Sequence, residues 1–218
     1  MAQVFGRSMN WVATGSILGG VVVLGTALAV LLNINRLDYV SQVGVARDQP
    51  VPFSHKHHVT GVGIDCRYCH TTVEESAFAG IPPTETCMTC HSMLWTEAAV
   101  LEPIRASLRD DEPIRWTRVH DLPDFVYFRH DIHVSKGIGC QSCHGQVDQM
   151  PLMWKENTLN MEWCLECHRA PERHIRPKEE VFNMNWSPPM NQEEMGRNLV
   201  EQYDVQKVQL TDCSICHL

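Results

Sequence analysis

Aromatic side chains make up only 7% of this 218-residue chain, and no segment shows the two-residue alternation of a half-buried strand. A sheet sandwich or barrel is therefore not expected, and without alternating strand and helix patterns neither is a doubly wound α/β fold. No acidic residue precedes Asp38, and no charge of either sign falls between Trp11 and Ile34. No cysteine stands alone. At 20% charged residues the composition is still that of a folded protein, not a disordered one.

What is present is concentrated in the cysteines. All ten fall into five Cys-x-x-Cys pairs, each followed at once by histidine: CRYCH (Cys66, Cys69, His70), CMTCH (Cys87, Cys90, His91), CQSCH (Cys140, Cys143, His144), CLECH (Cys164, Cys167, His168) and CSICH (Cys213, Cys216, His217). Histidine fills 12 of 218 positions, so five such coincidences are not chance. This pattern attaches a c-type haem: two thiols add across the porphyrin vinyl groups, and the adjoining imidazole is aimed at the iron as its proximal ligand. Five haems c are expected. Zinc needs four ligands, and five pairs do not divide into whole four-cysteine sites. A thioredoxin-like motif wants one pair in a βα unit, and a disulfide scaffold would not space its cysteines so evenly.

The run WVATGSILGGVVVLGTALAVLLNI, Trp11 to Ile34, is twenty-four uncharged residues long, where about twenty suffice to span a bilayer as a helix. It exceeds the apolar core of a cleaved signal peptide, and Ala27-Leu-Ala29 lies inside the run and not after it. An uncleaved, single-pass anchor in the cytoplasmic membrane is expected. Arg7 and Arg36 flank the run and orient it weakly. Covalent haem assembly outside the bacterial inner membrane puts the cysteine-bearing part in the periplasm or its equivalent. Gly15 and Gly19 form a small-xxx-small pair that suits packing against a neighbouring helix. From residue 38 onward, 26 acidic side chains face 16 basic ones, a net charge of −10. Nucleic acid is thereby disfavoured as a partner; the acidic surface could steer a basic electron carrier, but it is also what ordinary solubility requires.

Along the chain we expect an anchor over 1–36, a linker over 37–52, a first haem unit over 53–110 and a second over 111–170, each with two haems. Residues 171–218 would form a Pro-rich segment, a short helix with Asn191 at its start, and the fifth haem. Trp95 to Asp110 has helical composition with a cap at Thr96, and Pro103 should end or kink it. With so little apolar residue per porphyrin, the haems themselves must supply much of the core. The expected fold class is a multihaem cytochrome c, mostly α and irregular, haem-cored, with one N-terminal transmembrane helix.

Each iron has one further axial position, and seven histidines lie outside the five motifs. The segment FSHKHH carries His55 and His58, and FRHDIH carries His130 and His133, in a repeated Phe-x-His-x-x-His arrangement. Imidazoles three residues apart share a helical face and can each serve a different iron, so these four are candidate distal ligands. His120 is the fifth candidate. His57 should face solvent, and His174, beside Arg173 and Arg176, reads first as a surface or propionate contact. Met161 or His174 could substitute for one distal histidine; a thioether ligand would raise that haem's potential. Supply exceeding need predicts low-spin iron that binds carbon monoxide poorly.

FSHKHH with GIDCRYCH, IPPTETCMTCH, VHDLPDFVYFRHDIHVSKGIGCQSCHG and NMEWCLECHRAPERHIRP together resemble the membrane-anchored pentahaem cytochrome c subunit of bacterial alternative complex III. The likeness covers nearly everything from Phe53 onward. It implies an electron-transfer subunit, without a catalytic site of its own, in a quinol-oxidising respiratory or photosynthetic complex. The implied partners are an iron-sulfur subunit, polytopic quinol-binding membrane subunits and a monohaem cytochrome c or other periplasmic carrier. Two other readings stand beside it. A self-sufficient membrane-anchored quinol dehydrogenase would hold its first haem at the membrane, which about thirty residues between Ile34 and Cys66 disfavour. A multihaem reductase would mark its catalytic iron with lysine or an open site, whereas all five motifs here end in histidine.

Overall fold

The computed structural model describes residues 5–34 and 36–217; the remaining residues of the expected anchor, 1–4 and 35, lie outside the described residues. The chain forms two units, Met1–Val43 and Gly44–Leu218, and the division falls within the segment expected to be a linker.

In the first unit, α1 (Ser8–Ile34) has a mean hydropathy of 2.4 and buries none of its side chains. Its 27 residues give a length of about 40 Å, against about 30 Å of bilayer hydrocarbon. Two of its polar side chains bond back to the helix: the Ser16 hydroxyl donates to Ala13 O and the Asn33 amide to Ala29 O. That is what a helix without water around it requires. A single turn, α2 (Asp38–Ser41), follows and ends with Gln42 in the left-handed region.

The second unit contains only short helices: α3 (Cys66–Cys69), α4 (Thr84–His91), α5 (Glu102–Asp110), α6 (His130–Ser135), α7 (Cys140–His144), α8 (Met161–Arg169), α9 (Gln192–Gln202) and α10 (Cys213–Cys216). A π-helix spans Lys56–Gly61, and 3₁₀ turns lie at Ala99–Leu101, Val147–Gln149, Pro171–Arg173 and Lys178–Glu180. Among the described residues the only extended pairings are two isolated bridges, Val126 to His217 and Ile138 to Ile175. The expected helix from Trp95 is shorter than its composition suggested. Trp95 has φ +58°, and Pro103 sits in the first turn of α5. A ring nitrogen without hydrogen costs nothing in a first turn, so Pro103 starts the helix instead of kinking it, and Thr96 caps nothing. Asn191 does precede α9, but its side chain makes no cap hydrogen bond.

Nine hydrophobic side chains are buried among the described residues, three of them (Val51, Leu101 and Ile104) in one cluster under α4 and α5. Polypeptide alone therefore encloses little apolar volume. The unit is held by backbone ties instead: Lys56 N to Met150 O, the Thr60 hydroxyl to Asp148 O, His130 N to Ala77 O, and Tyr127 N to Cys216 O. These link segments distant in sequence and bring the cysteine-bearing turns together.

Candidate functional site

Every Cys-x-x-Cys pair lies on a helical turn, in α3, α4, α7, α8 and α10. Positions three apart on such a turn share a face, so both sulfurs of a pair point the same way. Asp65 caps α3: its carboxylate accepts from Arg67 N at 2.8 Å and also pairs with the Arg67 guanidinium. No two of the ten cysteines are joined in a disulfide. Burial, the largest influence, pushes Cys140 up to about 11 and Cys143 up to about 12. A buried thiol held in its neutral form is a poor metal-ion ligand. Among the described residues no three His, Cys, Asp or Glu side chains converge as a metal ion would need.

The histidines converge in twos. Ring centroids lie 6.2 Å apart for His58 and His91, 6.3 Å for His130 and His144, and 6.2 Å for His133 and His168. Two imidazoles bound through nitrogen on opposite faces of one iron, with bonds of about 2 Å and ring centres about 1.1 Å beyond, would stand about 6.2 Å apart. The three pairs fit that spacing. A fourth pair is near: burial first, then the neighbouring charges of His70 and His58, lowers His55 to about 4.

The other ring nitrogen supports the same reading. Nδ1 faces a backbone carbonyl in His58 (Ser54 O, 2.8 Å), His70 (Gly80 O, 2.7 Å), His91 (Leu94 O, 3.2 Å), His130 (Ala77 O, 2.8 Å), His133 (Arg129 O, 2.7 Å) and His168 (Leu210 O, 2.8 Å). A carbonyl only accepts, so Nδ1 carries the proton and Nε2 keeps its lone pair for a metal. Burial also lowers His58, His133 and His144, the last to about 3, so these rings are neutral near pH 7, as ligation demands.

The two Phe-x-His-x-x-His segments are built alike. Phe53 meets His55 edge-on at 4.9 Å and stacks on His58 at 4.4 Å; Phe128 meets His130 edge-on at 4.8 Å and stacks on His133 at 4.7 Å. The first segment leads into a π-helix and the second forms α6. Two local backbones thus deliver one side-chain arrangement.

His120 is placed differently from the other distal candidates. Its Nε2 lies 3.2 Å from His144 Nδ1, and the ring centroids are 4.3 Å apart, too close for an iron between them. If His144 Nε2 is the nitrogen kept for iron, its Nδ1–H would donate to His120 Nε2, where His58, His91, His130, His133, His70 and His168 use a carbonyl; His55 Nδ1 has no hydrogen-bond partner among the described residues. His217 stacks on Phe125 at 5.9 Å. Met161 is 62% exposed at the start of α8, His174 is half-buried, and His57 is exposed against Trp95. One residue that no spacing pattern singled out also touches the site: Arg176, buried against α7. A lone arginine in a charged stretch carries no periodic or motif signal.

The attachment turns form a series of neighbours. Besides burial, Cys69 is raised by Cys87, Cys140 by Cys66, Cys143 by Cys167, Cys140 and Cys164, and Cys164 by Cys216. Each pair must be close for one charge to be felt by the other. By adjacency the motifs run second, first, third, fourth, fifth.

Two family models match the chain: cytochrome c7 and related cytochrome c over residues 126–218, and the class III cytochrome C family over residues 35–112. The chain is 28% identical over 178 residues, 72% of its own length and 84% of the relative's, to the menaquinone reductase, multiheme cytochrome c subunit, of Nitratidesulfovibrio vulgaris strain Hildenborough.

Proposed function

We propose that this chain, a multihaem cytochrome c in fold class, holds five covalent c-type haems and is the electron-carrying subunit of a quinol-oxidising respiratory or photosynthetic membrane complex of the alternative complex III kind. The observation that carries this is the set of three histidine pairs at 6.2 to 6.3 Å, each joining a motif histidine to a histidine of the repeated segment. When bound, haem iron supplies a one-electron ferric/ferrous couple. The chain's residues do the rest. The ten motif cysteines hold the macrocycles; His70, His91, His144, His168 and His217 supply proximal nitrogens; His55, His58, His130 and His133 supply distal ones to the first, second, third and fourth motifs. Because His55 and His58 are one turn apart, as are His130 and His133, each pair locks two neighbouring centres at contact distance. Filling both axial positions at the first four motifs leaves no place for substrate at those irons, which suits conduction.

α1 anchors the chain in the cytoplasmic membrane with Gly44 onward in the periplasm or its equivalent, beside iron-sulfur and polytopic quinol-binding subunits, and a monohaem cytochrome or other carrier takes the electrons. The relative's name favours a second direction of flow, toward menaquinone, which the same series of centres would serve. Gentle purification from membranes, identification of co-eluting subunits and a pyridine haemochrome assay test the proposal. Five haems per chain and reduction by added quinol are expected. Three haems or fewer would overturn the assignment. Oxidation of the pre-reduced complex by menaquinone, without reduction by menaquinol, would establish the reverse direction.

A further inference from the structure

Arg176 is the largest fully buried side chain among the described residues, 2% exposed. Its backbone N–H donates to Gly137 O at 2.9 Å, next to the bridge between Ile138 and Ile175. This holds the guanidinium against the start of α7. A Cβ on Gly139 would lie 2.2 Å from Arg176 Cζ, so only glycine allows this approach. Nη2 donates to the Ser142 hydroxyl at 3.1 Å, between Cys140 and Cys143, and Nη1 reaches Glu180 O and Asn183 O at 3.4 and 3.5 Å. The group covers the Trp186 ring at 4.2 Å. Its Nε has no hydrogen-bond partner.

No carboxylate among the described residues is in contact with its guanidinium. Arg176 makes no ion pair among the described residues, and the one carboxylate that faces it, Glu180, accepts from Asn183 Nδ2 at 2.6 Å. Cys140 and Cys143 are the other titratable groups facing it, and both become neutral thioethers once haem is attached. A guanidinium does not give up its proton in a protein, so a full positive charge stays enclosed beside one attachment turn. Enclosed charge is screened weakly, and it acts on whatever charge changes nearby.

We propose that Arg176 is an electrostatic positioning residue that raises the reduction potential of the centre held by Cys140, Cys143, His144 and His130. A fixed cation favours the state with one more electron, so the ferrous form at this middle position of the series is stabilised over the ferric. The inference rests on the haem assignment above and adds to it a residue that no motif includes.

The test is a spectropotentiometric titration of full-length, haem-loaded protein in detergent, with haem content measured on the same samples. In Arg176→Gln one of the five components should become harder to reduce, by about tenfold in its equilibrium constant, or about 59 mV for one electron. Arg176→Lys, which keeps the charge, should restore most of the shift. Glu180→Gln should move the same component the opposite way. That component is identified as the low-spin ferric signal lost in His130→Ala. Unchanged potentials in an Arg176→Gln protein that still carries five haems would overturn the proposal. If Arg176→Gln fails to assemble, unchanged potentials in Glu180→Gln overturn it instead. Three haems or fewer in the unmodified protein would strike the haem assignment and not this residue.

Discussion

His133 shows how one residue's role depends on both of its ring nitrogens. Nδ1 is tied to Arg129 O at 2.7 Å, and the opposite edge faces His168 across 6.2 Å. Removing the ring while leaving α6 intact should open one axial position. In His133→Ala we expect one haem per chain to become high-spin and the reduced protein to bind about one more equivalent of carbon monoxide than the unmodified chain. Carbon monoxide difference spectra with haem-normalised samples measure this. The unmodified chain should bind at most one equivalent, since four motif histidines have partners and His120 is engaged with His144. No gain of binding in His133→Ala would remove His133 from the ligand set. His120 marks the limit of residue counting: expected as the fifth distal ligand, it lies 3.2 Å from His144 Nδ1, a contact that its type and position do not disclose.

At the scale of elements, short helices need help that their length cannot supply. α3 is one turn long and depends on the Asp65 cap. Asp65→Ala should cost about 1 kcal/mol by loss of a cap. The hydrogen bond from Arg67, chiefly, holds the Asp65 carboxyl below the usual carboxylate range. Its folded-state pKa is depressed, so its contribution is present above about pH 4 and is lost as pH falls further. The residue is half exposed, so this pH-linked part is small, a few tenths of a kcal/mol. Thermal unfolding of both proteins at pH 7 and pH 3 checks it: the gap should narrow at pH 3. α9 packs so closely on the Pro171–Arg173 turn that a Cβ on Gly196 would meet Glu172 O at 1.9 Å. Gly196→Ala should therefore cost about 1 to 3 kcal/mol through overpacking, a drop of roughly 2–4 °C in Tm per kcal/mol. An unchanged Tm would mean that the contact is slack.

For the whole molecule, the two units predict separable behaviour. A chain lacking residues 1–43 retains the whole of Gly44–Leu218 and loses α1. Expressed with a cleavable export signal, it should appear in the soluble periplasmic fraction with the same haem-to-protein ratio as the full chain. Recovery of the shortened protein in membranes without partner subunits would show that α1 is not the anchor. Retention only when partner subunits are present would show that the second unit itself docks.

The sequence by itself determined the chemistry and the class of fold. Five Cys-x-x-Cys-His motifs, one uncharged run and the repeated Phe-x-His-x-x-His segment are local patterns, and local patterns are written along the chain. The helical turns that carry the cysteines follow from them, because three-residue spacing has meaning only on a helix. What tertiary structure alone decided is who meets whom. It paired His58 with His91 and His133 with His168, and it turned His120 toward His144. It also enclosed Arg176 against Gly139 and ordered the motifs second, first, third, fourth, fifth. These are contacts between distant segments joined by irregular chain, where no periodicity constrains the path. Their geometry comes from closing loops around shared partners, which no single stretch of residues encodes.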